Sequence, residues 1–383
     1  MRDITPFQIA IPDSEWQDLR DRLRLTRWAA APLVDDWSDG SDTAFLRELV
    51  TYWQDAFDWR EQERRLNALP QWHACIDGQT IHFVHQRGKG PKPMPLVLTH
   101  GWPGSFIEME ALIPMLTDPA AFGGDPADAF DVVVPSLPGY GFSAPPRETG
   151  MNPRRIAALW QRLMSGLGYP RFVAQGGDIG AGVSMWLARD FPEQVAGFHL
   201  NYIPGAFQPS LDGAPPSPEE ARYLTRSAQW AAAEGAYAAL HATKPHTLAQ
   251  ALTDSPAGLA AWIVEKCRSW SDCDGDVTRV LSRDTLLTDI SIYWFSRTID
   301  ASLRLYKESK ACPLAFAQGE RIAPPCGVAV FPREISMPPR SWVERVCHVQ
   351  RWTSMPRGGH FAALEQPALL AEDLRAFCRP LRR

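Results

Sequence analysis

Short apolar runs recur along the chain from about residue 95, and most of them are separated by stretches with helical periodicity. Runs that are apolar throughout are typical of strands buried on both faces, and their alternation with helices is typical of a parallel sheet. The sequence therefore predicts an α/β fold with a mostly parallel central sheet. Strands are expected at 95–100, 131–136, 172–175, 197–203, 327–331 and 346–352, and helices at 105–117, 153–166 and 181–190.

The alternation is absent from the two remaining parts of the chain. Residues 206–311 have an almost wholly helical pattern, which indicates a helical insertion into the α/β core. The leading segment also predicts helices, at 13–25 and 42–57, and one strand at 80–86, ahead of the first buried strand. The expected divisions are an N-terminal extension wrapping the core (1–94), the first part of the core (95–205), a helical lid (206–311) and the second part of the core (312–383).

Charge and cysteine content exclude several classes of protein. The formal net charge of −5 gives no electrostatic reason to expect binding to nucleic acid or to an anionic membrane. The seven cysteines are scattered without a C-x-x-C pair, which argues against a disulfide framework or a zinc site and favours the cytoplasm. The N-terminal residues contain no apolar core suited to a signal peptide or a membrane anchor.

A glycine-rich segment, AQGGDIGAG at 174–182, places one carboxylate, Asp178, between a predicted strand and a predicted helix. One interpretation is helix capping, because Asp is a favoured N-cap residue. The other is a nucleophile, because G-x-D-x-G has the form of the G-x-S-x-G elbow with an acid in place of serine. No G-x-S-x-G occurs in the chain. A carboxylate nucleophile would attack a saturated carbon and form an alkyl ester.

The elbow pattern requires an acid and then a histidine further along the chain. His360 lies in the loop after the last predicted strand, where this fold places the base. Glu334 is the only carboxylate between Glu320 and Glu344, so it is the candidate acid partner. The alternative for His360 is an ordinary loop histidine, and the alternative for Glu334 is a solvated charge in a loop.

The first predicted core strand ends in a segment that resembles the one supplying an oxyanion donor in hydrolases with this elbow. The backbone N–H groups of Trp102 and Ile179 are the expected donors. His100 is a second candidate base, but its early position in the chain favours a structural role.

Four segments together carry a resemblance that covers nearly the whole chain: H-G-W-P-G-S, Q-G-G-D-x-G, F-P-x-E and R-G-G-H-F-A-A. They resemble the α/β-hydrolase-fold epoxide hydrolases, in the microsomal and juvenile hormone branch with its helical N-terminal extension. The resemblance implies that two lid tyrosines, Tyr237 and Tyr306, hold the epoxide oxygen. The residues alone do not favour these two over Tyr223 or Tyr293, which could equally pack the lid.

The resemblance also implies the reaction partners. It predicts a small apolar or aromatic epoxide as substrate, no metal or organic cofactor, and a soluble bacterial member without the membrane anchor of the microsomal enzymes. Some bacterial relatives serve natural-product pathways, including enediyne biosynthesis. The chain departs from the family in having Ile179 where Trp is frequent after the nucleophile. A homodimer is the commonest assembly of soluble proteins, although the sequence leaves the oligomeric state open.

Two other functions fit parts of the pattern. A haloalkane dehalogenase uses the same Asp, His and acid set but needs halide-binding donors such as tryptophan side chains, and Trp102 is one. A non-catalytic binding protein of the same fold would be favoured by loss of Asp178 or His360, and both are present. An ordinary esterase is disfavoured because the chain has no elbow serine.

Overall fold

A nine-stranded sheet forms the centre of the computed structural model, which describes residues 2–30, 33–34, 36–211, 213 and 215–382. The strands follow the spatial order β1-β2-β3-β5-β4-β6-β7-β8-β9. Six neighbouring strands, β5-β4-β6-β7-β8-β9, are parallel. Beyond β5 the sheet continues with β3, β2 and β1, each antiparallel to its neighbour. The predicted mostly parallel sheet is confirmed. The strands are β1 (Arg2–Pro6), β2 (Gln71–Ile76), β3 (Gln79–Gln86), β4 (Met94–Thr99), β5 (Phe130–Pro135), β6 (Phe172–Gly176), β7 (Val195–Leu200), β8 (Ile322–Val330) and β9 (Cys347–Ser354).

The prediction that the leading segment precedes the first buried strand is wrong. β3 pairs with β5, and its Ile81, Phe83 and Val84 are fully buried. The sequence analysis also missed β1 and β2. Both carry several polar residues and neither is an apolar run, because β1 lies at the sheet edge and β2 is buried at only half of its positions. The N-terminal extension is thus continuous with the central sheet.

The helices agree with the predicted pattern except near residue 110. The expected helix at 105–117 is broken into a 3-10 helix, Phe106–Met109, and α4. Pro114 has no backbone N–H to donate and is tolerated only in the first turn of a helix, so α4 begins two residues before it. The helices are α1 (Asp13–Arg24), α2 (Thr43–Asp55), α3 (Trp59–Leu66), α4 (Leu112–Thr117), α5 (Pro153–Gly166), α6 (Asp178–Asp190), α7 (Pro218–Glu234), α8 (Ala236–His241), α9 (Pro245–Asp254), α10 (Pro256–Trp270), α11 (Arg283–Ser296), α12 (Ile299–Ala311), α13 (Arg340–Glu344), α14 (Ala362–Glu365) and α15 (Pro367–Cys378).

The helical insertion lies between β7 and β8 and contains α7 to α12. It also contacts the N-terminal extension. The Trp53 indole N–H donates a 3.1 Å hydrogen bond to the Ser291 hydroxyl, and the Tyr52 hydroxyl donates a 2.8 Å bond to Asp284. Helix α2 therefore helps to hold α11 of the lid in place. Among the described residues, no helix is both long enough and apolar enough to cross a membrane.

The order of the strands places the functional loops together. β5 lies on one side of β4 and β6 lies on the other, so the chain reverses its direction across the sheet at β4. In open α/β sheets, ligands bind at the carboxyl ends of the strands near such a reversal. Trp102 follows β4 and Asp178 follows β6, while Glu334 and His360 follow β8 and β9. All four loops therefore open at one edge of the sheet.

Candidate active site

Asp178 occupies a sharp turn between β6 and α6. Its φ of 47° lies in the left-handed region, which is unfavourable for a residue with a side chain. Glycines allow the neighbouring chains to approach, since a Cβ at Gly176 would lie 2.2 Å from the Gly180 carbonyl carbon and one at Gly180 would lie 2.0 Å from the Thr99 oxygen. The capping interpretation is wrong, because the N-cap is Gly177 and Asp178 is the first helical residue. The turn has the strained geometry of a nucleophile elbow.

The Asp178 carboxylate is held by the loop after β4. Its Oδ1 accepts a 2.9 Å hydrogen bond from the Trp102 backbone N–H. A Cβ at Gly101 would lie 2.3 Å from the same oxygen, so only glycine at 101 allows this approach. The Asp178 side chain is 18% exposed, compared with 3% for His360 and 1% for Glu334. Asp178 is thus the member of the group that an external molecule can reach.

His360 joins the two carboxylates. Its Nδ1 lies 2.6 Å from Glu334 Oε1, which also accepts a 2.7 Å hydrogen bond from the Ile335 N–H. Its Nε2 lies 3.6 Å from Asp178 Oδ2. The structure therefore brings together the three residues that the sequence proposed as nucleophile, base and acid. The Glu334 contact fixes the imidazole so that Nε2 faces Asp178.

Electrostatics favours a charged imidazole in this arrangement. Burial alone would lower the pKa of His360, but the carboxylates of Glu334 and Asp178 outweigh it and raise that pKa well above its usual range. The two neighbouring acids thus favour the protonated form of the His360 imidazole. Conversion of Asp178 to a neutral ester would remove one of these carboxylates, and the pKa of His360 would then fall.

A lid helix is bonded directly to the loop that carries His360. The His360 N–H donates a 2.9 Å hydrogen bond to the carbonyl of Trp270, at the end of α10. Glu365 holds the same junction, since its Oε2 accepts from the N–H groups of Gly359 (3.0 Å) and Asp272 (2.8 Å). Sequence reasoning missed Trp270 and Glu365, because no motif marks them and they meet His360 only in the folded chain.

Two tyrosines of the lid, the pair singled out by the resemblance, pack against Trp102, whose backbone N–H bonds Asp178. The Tyr237 ring stacks on Trp102 at 5.5 Å, and the Tyr306 ring meets Trp102 edge-on at 5.9 Å. The two tyrosine rings are 5.9 Å apart. Burial raises the pKa of both phenols, and the Asp178 charge raises it further. Both hydroxyls thus keep their protons at neutral pH and can act as donors.

The other two candidate tyrosines have packing contacts. The Tyr293 hydroxyl donates a 2.8 Å hydrogen bond to the Gly104 carbonyl, and Tyr223 packs against Trp342 with ring centres 6.0 Å apart. Two further aromatic residues, which sequence reasoning did not identify, border the tyrosine pair. Trp270 lies 5.3 Å from Tyr237, and His241 lies 4.9 Å from Tyr306. These rings form one aromatic cluster around Trp102, and Trp270 also packs against the imidazole of His360 at 5.1 Å.

His100 has a structural environment. Its Nε2 accepts a 3.2 Å hydrogen bond from the Leu137 N–H, and its Nδ1 lies 3.1 Å from the Gly101 carbonyl. Burial lowers its pKa to about 4, so the ring is neutral and both nitrogens are engaged.

The Ile179 N–H, the second expected oxyanion donor, belongs to the first turn of α6, where amides have no acceptor within the helix. No cluster of three His, Cys, Asp or Glu side chains suited to a metal ion occurs in the described part of the chain.

Comparison with known proteins gives one consistent family. Residues 4–109 match the epoxide hydrolase N terminus family, and residues 94–259 match the alpha/beta hydrolase fold family. The chain is 38% identical to epoxide hydrolase 1 of Oryctolagus cuniculus, over 98% of this chain and 88% of that protein. It is 34% identical to juvenile hormone epoxide hydrolase 2 of Ctenocephalides felis, over 96% of this chain and 84% of that protein. The solved Aspergillus niger epoxide hydrolase superposes with a TM-score of 0.87 at 32% identity, over 99% of this chain and 97% of that one. The chain therefore belongs to the α/β-hydrolase-fold epoxide hydrolases, together with relatives of the juvenile hormone type.

Proposed function

We propose that this epoxide hydrolase works through a covalent ester on Asp178, which water then hydrolyses to release a vicinal diol. The observation that carries the proposal is the position of the Asp178 carboxylate. Its Oδ1 faces the Trp102 amide, and its Oδ2 faces the imidazole of His360 at 3.6 Å. A carboxylate on a strained backbone turn, with a backbone N–H donor and a buried histidine base beside it, is suited to nucleophilic catalysis.

In the first step, an Asp178 oxygen forms a bond to one epoxide carbon while the bond from that carbon to the ring oxygen breaks. Tyr237 and Tyr306 hydrogen-bond the ring oxygen, and one of them transfers its proton to the departing alkoxide. The raised pKa of these phenols supports this role, because it keeps the protons in place until the alkoxide forms. The tyrosinate is then reprotonated with the proton that His360 releases.

The release of that proton follows from the charge balance. Ester formation removes the Asp178 charge that helps to hold the pKa of His360 high. The neutral imidazole, oriented by Glu334, then takes a proton from water as its oxygen attacks the ester carbonyl carbon. The Trp102 and Ile179 amides stabilise the oxyanion, and loss of one such donor typically costs about 3–4 kcal/mol. Cleavage of the acyl–oxygen bond expels the diol as an alkoxide, which takes the second proton of the attacking water. The diol, the Asp178 carboxylate and the protonated His360 remain.

The surroundings of Asp178 support an apolar or aromatic epoxide as substrate. The lid contributes an aromatic cluster that packs around Trp102, the residue whose backbone N–H bonds Asp178; its rings are those of Tyr237, Trp270 and Tyr306. Such rings favour apolar surface and contribute only a few directed polar contacts. We place the enzyme in the cytoplasm, because its seven cysteines are scattered without a C-x-x-C pair. A role in natural-product biosynthesis rests on the resemblance alone, and a homodimer is the expected assembly because dimers are the commonest one.

Haloalkane hydrolysis is the second candidate, and one observation favours it. The indole N–H groups of Trp102 and Trp270 are buried without a hydrogen-bond partner among the described residues, and such donors could bind a halide. The tyrosine pair and the epoxide hydrolase relatives favour the epoxide reaction. Halide release from 1-chlorohexane, measured beside diol formation from styrene oxide, distinguishes the two reactions.

Trapping of the ester tests the proposal. In His360→Gln the first step is retained and the second is slowed by about 10²–10⁴-fold, the usual contribution of general base catalysis. After incubation with styrene oxide and denaturation, the intact protein should gain the mass of one substrate molecule. Asp178→Asn is the control and should gain none. Absence of the adduct from His360→Gln in a folded protein that still forms diol would contradict a covalent route.

A further inference from the structure

A small polar chamber lies beside the Asp178 carboxylate. Its cavity volume is about 20 Å³, and Glu108, Gln175, Asn201 and His360 are among the residues that line it. A cavity needs roughly 10–15 Å³ and two to four polar partners to hold one water molecule. The chamber is thus the size of one water and far below the roughly 300 Å³ or more of an organic ligand site.

Glu108 contributes a carboxyl group that the proposed reaction does not use. Glycine at 104 makes room for it, since a Cβ there would lie 1.7 Å from Glu108 Oε1. Burial, and then the nearby Asp289, raise the pKa of Glu108 well above its usual range, although a hydrogen bond from the Gly101 amide opposes this. Burial therefore favours the protonated form of the Glu108 carboxyl, which can both donate and accept a hydrogen bond.

Gln175 provides an acceptor on the chamber wall. The residue lies in β6 and is fully buried. Its Nε2 donates a 2.8 Å hydrogen bond to Asn201 Oδ1, while its Oε1 has no partner among the described residues. A buried acceptor without a partner costs about 1–3 kcal/mol, so such atoms in native proteins usually have an ordered water or a functional role.

These observations identify a place for the second reactant. We infer that the chamber holds the water that attacks the Asp178 ester, and that Glu108 and Gln175 are positioning residues that hold this water between His360 and the ester carbonyl. The inference rests on the proposed ester. His360 Nε2 accepts one proton of the water, and the water oxygen forms a bond to the carbonyl carbon of the ester. Glu108 gains and loses no proton overall and only orients the water.

The chemistry of Glu108 predicts which substitutions matter. Glu108→Leu removes both hydrogen-bonding functions and should slow ester hydrolysis about tenfold to a hundredfold, the usual effect of a misplaced reactant. Ester formation should stay nearly unchanged, because it does not use this water. Glu108→Gln keeps a neutral donor and acceptor of the same shape, so ester hydrolysis should return close to the wild-type rate.

The test is single-turnover, rapid-quench kinetics with styrene oxide, in which intact-protein mass gives ester formation and ester decay separately. Glu110→Gln is the matched control, because Glu110 is only two residues further along the chain but does not line the chamber. Its carboxylate pairs instead with Arg65, at a distance of 2.6 Å. Gln175→Met is a second, independent variant of similar length without the acceptor, and it should also slow only ester decay.

Ester decay at the wild-type rate in both Glu108→Leu and Gln175→Met would overturn the inference. Ester decay in Glu108→Gln as slow as in Glu108→Leu would also overturn it, since Glu108 would then act as a base. These outcomes differ from failure of the proposed function, in which His360→Gln forms no ester at all. A general structural defect would slow ester formation as well, and this would count against the positioning role.

Discussion

The backbone amide of His360 donates a 2.9 Å hydrogen bond to the carbonyl of Trp270. The loop that carries the base is thereby tied to the last turn of α10, and Trp270 also packs its ring against Tyr237 at 5.3 Å. The residues proposed for the two steps of the reaction thus share one junction between lid and core. Changes at this junction are expected to affect both steps.

Glu365 is the residue that holds this junction most directly. Its carboxylate accepts from the amides of Gly359, Phe361 and Asp272, and Glu365→Gln would place an NH₂ group against at least one of these donors. We expect a loss of about 1–3 kcal/mol in the free energy of unfolding, measured by urea denaturation. Glu372→Gln, an exposed position in the following helix, should change it by no more than about 0.5 kcal/mol. Equal stability of the two variants would show that the junction is unimportant.

Replacement of Glu334 should move the pH dependence of ester hydrolysis. The base must be neutral, so the rate rises with pH through the pKa of His360 in the ester. Glu334 raises that pKa, and Glu334→Gln should therefore move the midpoint to lower pH. The plateau rate should also fall, by about 10²-fold or more, because the imidazole loses its orientation.

The measurement is the single-turnover rate of ester decay between pH 5 and pH 9, a window of about two units either side of neutrality. Glu344→Gln is the control, since the Glu344 side chain is half-buried, lies on α13 and pairs with Arg340 of the same helix. A midpoint in Glu334→Gln that equals that of the wild type would contradict the assigned role of Glu334.

The two lid tyrosines should act on ester formation. Tyr237→Phe and Tyr306→Phe each remove one donor to the epoxide oxygen. Each should slow ester formation by about tenfold to a hundredfold, because a hydrogen bond to a charged group contributes about 1.5–3 kcal/mol. The double variant should lose nearly all activity. Tyr223→Phe is the control, because Tyr223 lies in the lid but packs against Trp342. Ester formation at the wild-type rate in the double variant would exclude the tyrosines as proton donors.

A single methyl group at Gly101 should disable the nucleophile. The Cβ of Gly101→Ala would lie 2.3 Å from Asp178 Oδ1, so the carboxylate must move away from the Trp102 amide. We expect diol formation to fall by about 10²-fold, with a stability loss of about 1–3 kcal/mol from overpacking. Gly205→Ala has no atom within 4 Å of its Cβ and should leave both quantities unchanged. Steady-state assays and thermal melts of the two variants provide the comparison, and equal activities would contradict the packing argument.

Apolar periodicity was sufficient to predict the core of this fold. Each of the six predicted core strands overlaps one of the parallel strands β4 to β9, and the helix predicted at 153–166 coincides with α5. Strands β1 and β2 could not be found in this way. β1 is the edge strand, and β2 beside it is buried at only half of its positions, so polar residues interrupt the pattern.

The candidate site was predictable where chain order determines position. An elbow after one strand and loops after two later strands bring Asp178, Glu334 and His360 together in any fold of this class. Glu108, Gln175 and Glu365 gave no such signal, because their roles depend on how close an unrelated part of the chain comes. Gln175 bonds the side chain of Asn201 and Glu365 bonds the backbone N–H of Asp272, and periodicity does not encode such contacts between distant residues.

The source of the diol oxygen tests the central claim, that Asp178 is the nucleophile. A single turnover of excess enzyme with styrene oxide in ¹⁸O-labelled water separates the two possible routes. Unlabelled diol is expected from this first turnover, because the added oxygen comes from the Asp178 carboxylate, and the label enters the protein instead. Asp178→Ala should form no diol. A first turnover of the wild type in which every diol molecule carries one ¹⁸O atom would mean direct attack by water and would contradict the role of Asp178 as nucleophile.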